Sequence, residues 1–257
     1  MGRARKRHIQ LSLLNQAGTK AKDPRGGKRR GAGRKPKGER AGEPHLRRES
    51  FKASQPLHIS FKVLPGVELR KMDMYRALRK ATVTLGRHDT VRIVHMSVQS
   101  SHVHLIIEAD GKTALSRGMQ AFKISAAKWI NRAITERTGT RRRGKVFADR
   151  YHVEIIRSPR QARHALAYVL NNWRRHREDA VAGFEARGQG RPEPMVDRFS
   201  SGIRFDGWKQ RATTGPWPIP EGYEELSVWE PRTWLLTTGW RRHGLISCYE
   251  IPVPIRR

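Results

Sequence analysis

His102 and His104 stand one residue apart at the head of an apolar run, HVHLIIEA. In an extended chain, residues two apart point to the same side with Cβ atoms about 7 Å apart. Both imidazoles can then reach one small ion, while Val103, Leu105 and Ile107 turn to a core. Neutral imidazole binds Mg²⁺, Mn²⁺ or Zn²⁺ with differing preference. The same pair is compatible with ordinary packing and a local hydrogen bond. His58, His95 and His152, also on strand-like runs, are read as structural or as nucleic-acid contacts. A metal needs a third ligand and chemistry to serve, and the segment SPRQARHALAYVLNNWRRHRED (158–179) offers both. At helical pitch Ala162, Leu166, Val169, Leu170 and Trp173 form one buried stripe. Tyr168 falls on the other side, flanked at four residues either way by His164 and Asn172. Such a tyrosine is either solvated or aimed at a site.

Together the two elements fit one reaction. A divalent ion, Mg²⁺ or Mn²⁺, held by His102, His104 and an amide oxygen would draw charge from a phosphodiester, and the Tyr168 oxygen would attack the phosphorus. A free phenol ionises near pH 10, so it needs help at neutral pH. The product would be a phosphotyrosine on a 5′ end and a free 3′-OH. That linkage retains the bond energy, so a second 3′-OH can reverse the step without ATP.

The elements that must position these residues follow from periodicity. PLHISFKVLP (56–65) alternates as a strand, with Leu57, Ile59, Phe61 and Val63 on one face. Residues 68–86 are helical in spacing and stop at Gly86. VRIVHMSVQ (91–99) and HVHLIIEA (102–109) form a hairpin across Ser100-Ser101. Residues 113–137 form a long helix, followed by the basic loop TGTRRRGK (138–145) and the strand YHVEIIRS (151–158). The tyrosine helix is predicted over 158–179, with Ser158 as N-cap and Pro159 in the first turn. The order β-α-β-β-α-β-α predicts an α+β fold, an antiparallel ferredoxin-like sheet with helices packed on it. RNA-recognition domains share this layout, so the fold alone selects no function.

Composition frames the partner. Lys and Arg number 53 against 23 Asp and Glu, a formal net charge of +30 over 257 residues. A polyanion would offset that charge, and release of phosphate counterions points to nucleic acid. Hydrophobic residues are 37% of the chain, so a compact middle with less-packed ends is expected. Residues 1–54 read as a basic disordered tail, within which GAGRKPKG also fits an arginine–proline hook for narrow A·T minor grooves. Residues 55–180 read as the chemical domain, and 181–257, rich in Gly, Pro and Trp, as an extension that docks on it. The single cysteine, Cys248, permits no intrachain disulfide. No apolar run is long enough to span a membrane, and the basic start lacks the apolar length of a signal peptide. A soluble, cytoplasmic, nucleoid-associated protein is expected.

HVHLIIEA, a long helix, GKVFADRYH and AYVLNNW, in that order, resemble the single-tyrosine transposases of the IS200/IS605 type, and among them the REP-associated tyrosine transposases. The resemblance covers about residues 55–180. It implies a histidine–hydrophobic–histidine metal motif at His102 and His104, a nucleophile at Tyr168 and an amide ligand at Asn172, with His164 a rival third ligand. Many REP-associated members carry Asn-Pro after the tyrosine, whereas here Asn172 precedes Trp173 and the helix can run on. The resemblance further implies single-stranded DNA with a palindromic hairpin as substrate. Arg141, Arg142, Arg143, Lys145, Arg174 and Arg175 are candidate phosphate contacts; the blander reading of each is a solvated face. A homodimer, and a tyrosine serving its own or a partner's site, stay open.

Three rival readings remain at this point. One is a non-catalytic nucleic-acid-binding module of the same fold. Another is a relaxase, which generally carries a third histidine in the cluster. The last is a phosphodiesterase using water, for which Glu108 is the acidic residue on the metal-facing side of the histidine strand.

Overall fold

In the computed structural model the described residues are 48–86, 89–190, 192–211, 215, 217, 219 and 222–253. They belong to the second of two units into which the chain divides, Glu43–Arg257. The expectations for the basic tail, including the arginine–proline hook, fall almost wholly outside these residues.

The elements run β1 (Leu57–Lys62), α1 (Met72–Leu85), β2 (Val91–Val98), β3 (His102–Ala109), α2 (Lys112–Thr138), β4 (His152–Ile155), α3 (Pro159–Arg175), α4 (Glu178–Gly188) and a four-residue helix α5 (Trp234–Thr237). The four strands form one sheet in the order β2-β3-β1-β4. Every pairing in it is antiparallel, as a ferredoxin-like β-α-β-β-α-β chain requires.

The pleat explains why the sheet is buried on both faces. Leu57, Ile59 and Phe61 of β1 and Val103, Leu105 and Ile107 of β3 share one face, which packs with Leu78, Leu115, Phe122 and other residues of α1 and α2. On the opposite face Val94, Ile106 and Ile156 meet α3. That second layer is completed by the chain after residue 195: Phe205, Trp208, Leu236, Trp240 and Ile246 lie in one cluster with Leu166, Val169 and Leu170. The C-terminal extension therefore closes the far side of the tyrosine helix.

Ser158 caps α3 by accepting a hydrogen bond from the Gln161 N–H, and Pro159 occupies the first turn. The helix is shorter than its sequence pattern predicts. It stops at Arg175, and Arg177 adopts a left-handed conformation (φ 57°) before a separate α4 begins. Three hydrogen bonds hold this corner. Arg174 donates from Nε to the Cys248 carbonyl (2.5 Å), from Nη1 to Asp179 (3.0 Å) and from Nη2 to the Met195 carbonyl (3.1 Å). The register signal could not reveal a stop imposed by residues so far along the chain.

Candidate active site

The site is built on the α3 face of the sheet. Ser60 pairs with His104 and Lys62 with His102 across β1 and β3. His58, two residues before Ser60, shares that face and pairs on its other side with Glu154 of β4. The histidine face therefore spans three strands.

Helix α3 crosses this face. The Tyr168 ring meets the His104 ring edge-on at 5.2 Å between centroids and the His58 ring at 5.5 Å. His176, eight residues on, has its ring 5.0 Å from that of His102. Residues four apart share one side of a helix, so Asn172, midway between Tyr168 and His176, faces the His102–His104 pair. Asn172 is wholly buried. Neither its Oδ1 nor its Nδ2 has a hydrogen-bond partner, and the buried Nε2 of His104 has none either. A buried, unpaired polar group costs on the order of 1–3 kcal/mol; of these atoms His104 Nε2 and Asn172 Oδ1 are the ones chemically able to ligate a cation.

The protonation states agree with that use. His104 ionises well below the ordinary imidazole range, first because it is buried and then because His58, His102 and His176 surround it. Burial also pulls His102 down to about 4, helped by His176 and Lys62. Both rings are thus neutral near pH 7, with lone pairs to offer. Burial, followed by the charge of Arg175, lowers His176. Tyr168 is shifted upward by burial, opposed by Arg175 and reinforced by Glu154. Its phenol is not self-activated.

Two imidazoles and an amide oxygen suit Mg²⁺ or Mn²⁺. Among the described residues no three His, Cys, Asp or Glu side chains are arranged to hold an ion.

The other anticipated residues are more dispersed. His164, the rival ligand, is exposed one turn before Tyr168. Arg141, Arg143 and Lys145 are exposed. Their loop joins the sheet where Phe147 bridges Val63, next to Lys62, the partner of His102. Within the loop Arg142 binds Asn131 and the Lys145 carbonyl, and Lys145 donates to the Ala148 carbonyl (2.6 Å). Arg174 is occupied by protein partners, whereas exposed Arg175 lies electrostatically close to both Tyr168 and His176. Trp173 is core.

Sequence reasoning read His58 as structural or as a nucleic-acid contact and did not weigh His176. The signals were present: His58 alternates with the core residues of β1, and His176 continues the 168–172 spacing. Glu108 turns out to be an anchor. Its carboxylate accepts the Arg232 and Thr233 backbone N–H groups (2.7–3.0 Å) and pairs with Arg92 (3.1 Å). It has no capacity left to activate a water.

Residues 58–172, which run from His58 through Asn172, match the family described as "Transposase IS200 like". No curated protein matches the chain. Among solved structures, one described as the structure of a REP-associated tyrosine transposase bound to a REP hairpin is 18% identical, covering 74% of this chain and 99% of that one with a TM-score of 0.46.

Proposed function

We propose, from the premise that residues 58–172 form an IS200-like transposase domain and that the chain accordingly acts on DNA, that it is a single-strand DNA endonuclease and strand transferase with Tyr168 as nucleophile. The observation that carries this reading is the buried, unpartnered His104 Nε2 with the Tyr168 ring against the same imidazole, and the buried, unpartnered Asn172 Oδ1 one helical turn after Tyr168.

In this reading His102, His104 and Asn172 hold Mg²⁺ or Mn²⁺. The ion, when bound, would offset the charge that builds on the phosphoryl oxygens. Tyr168 Oη attacks the phosphorus and loses its proton. The bond from phosphorus to the 3′ oxygen breaks, and that oxygen leaves and takes up a proton as a 3′-OH. The 5′ phosphate remains on Tyr168. A second 3′-OH reverses the step and joins a new strand. Arg175 favours the phenolate, since its positive charge pulls the Tyr168 pKa down against the larger upward push of burial.

Lys62 and Arg175 are the proposed phosphate contacts beside the reacting group, with Arg141 and Arg143 further along the bound strand. A groove of about 680 Å³ follows the β4 edge, with Lys112, Arg150 and Arg157 among its lining, and reaches the site at Glu154. A palindromic hairpin with flanking single strand is the substrate form proposed, met in the cytoplasm on the nucleoid. The tyrosine acts in its own chain, because its ring already touches His104 and His58 of the same chain.

The test is a denaturing gel of labelled single-stranded hairpin DNA incubated with protein and Mn²⁺. A label that migrates with wild-type protein and is absent with Tyr168→Phe supports the reading. Cleavage without an adduct would assign the attack to water, and tight binding without cleavage would favour the non-catalytic module.

A further inference from the structure

His58 and His104 make an unusual pair. His58 Nε2 lies 3.0 Å from His104 Nδ1, both groups buried. The rings are 19° from parallel with centroids 5.2 Å apart. That separation is the one expected when the two nitrogens lie on the line between ring centres. The contact is therefore an in-plane N–H···N hydrogen bond rather than a face-to-face stack. On the other side of His58, its Nδ1 is 3.9 Å from a Glu154 carboxylate oxygen and has no hydrogen-bond partner.

The orientation excludes one role and implies another. His58 faces the back of His104, so it cannot be a third imidazole on an ion bound at His104 Nε2. For Nε2 of His104 to offer a lone pair, its proton must sit on Nδ1. Nδ1–H then donates to His58 Nε2, and His58 must carry its own proton on Nδ1, toward Glu154. One choice at His104 sets the tautomer of both rings.

We infer that His58 is a positioning residue that fixes His104 as a metal ligand, in a chain running Glu154, His58, His104, with Glu154 completing the chain through a small approach or a bridging water. This inference rests on the metal reading above. Ligating histidines commonly hand their second N–H to a carboxylate or carbonyl that orients the ring and raises its basicity. Here a second imidazole fills that place and passes the link to a cross-strand carboxylate. The register provides it: His58 pairs with Glu154 on one side and lies diagonal to His104 on the other.

The test is Mn²⁺ binding by calorimetry to the full chain without DNA, in wild type, His104→Ala, His58→Phe and His58→Gln. His58→Phe is expected to lose about 10–100-fold in Mn²⁺ affinity. His58→Gln, which keeps an acceptor at the reach of Nε2, is expected to stay within about threefold of wild type. Mn²⁺ affinity unchanged in His58→Phe overturns the inference, as does His58→Gln binding as weakly as His58→Phe. A second measurement depends on no variant's folding: ¹⁵N spectra of histidine-labelled wild type with Mg²⁺ should show His104 and His58 both protonated at Nδ1. A proton on His58 Nε2 overturns the inference while leaving the metal site intact. Wild type that fails to bind Mn²⁺, or binding that survives His104→Ala, overturns the metal reading and this inference with it.

Discussion

Asn172 is the residue whose burial makes least sense without a ligand. It is wholly enclosed on α3, with both amide atoms unpaired. Replacing it by the near-isosteric leucine should remove that penalty. Asn172→Leu is expected to be more stable than wild type by about 1–3 kcal/mol in EDTA, and to lose the rise in melting temperature that Mn²⁺ gives wild type. Denaturant and thermal unfolding with and without metal check both halves. A variant less stable than wild type in EDTA would mean that Asn172 is a structural residue. That His102 shares a face with His104, and Tyr168 a face with Asn172, follows from a period within one element: two on a strand, four on a helix; the roles proposed for them came from the family resemblance. His58 and His176 needed more. Alternation showed that His58 faces away from the core, yet its place behind His104 depends on which strand lies beside β3, and that is decided by the fold.

At the scale of elements, α3 is held from two sides. The sheet presents Val94 and Ile106 to it, and the extension presents Trp208, Trp240 and Ile246. Arg163 ties the helix start to Glu250 (2.9 Å), and Asn171 donates to the Ser247 carbonyl (2.9 Å). Glu108 fastens the same extension to β3 at Arg232 and Thr233. Glu108→Ala leaves the partly buried Arg92 charge and two backbone N–H groups without their partner. Loss of one member of a buried pair costs about 3–5 kcal/mol, so the variant should unfold at markedly lower denaturant. It should also be cleaved first by protease within the extension. Uniform destabilisation with no early cleavage there would show that Glu108 supports the sheet rather than the strap. The strands and helices that carry the site were readable from hydrophobic period. The end of α3 and the docking of the extension were not, since Arg174 meets Cys248 and Glu108 meets Thr233 across long stretches of sequence. Pairings at that distance leave no mark on local pattern.

For the whole molecule the governing quantity is charge. With DNA as the proposed partner, a net +30 predicts an affinity that falls steeply with salt, through counterion release. Among the described residues no helix is long and apolar enough to cross a membrane. Arg141 and Arg143 are exposed on the loop beside Lys62. If both contact the backbone of a single strand, the double variant Arg141→Ala, Arg143→Ala should lower the slope of log affinity against log salt by about 1–1.5. Binding isotherms at a series of salt concentrations measure this, and an unchanged slope would remove the loop from the DNA interface. Net charge and composition point to a polyanionic partner. They could not say how each arginine is held, because Arg174 is enclosed by the Cys248 and Met195 carbonyls while exposed Arg175 next to it makes a single longer bond to the Pro252 carbonyl (3.3 Å).

The central claim is that a single phenol, set against a buried histidine pair, becomes covalently joined to DNA. Mass spectrometry of the trapped protein addresses it residue by residue. After reaction with Mn²⁺ and a hairpin oligonucleotide, nuclease trimming and trypsin, the peptide spanning residues 164–174 should carry a 5′-linked nucleotide on Tyr168. An adduct on Tyr151, Tyr249 or another residue, or cleaved DNA with every tyrosine unmodified, would contradict the account.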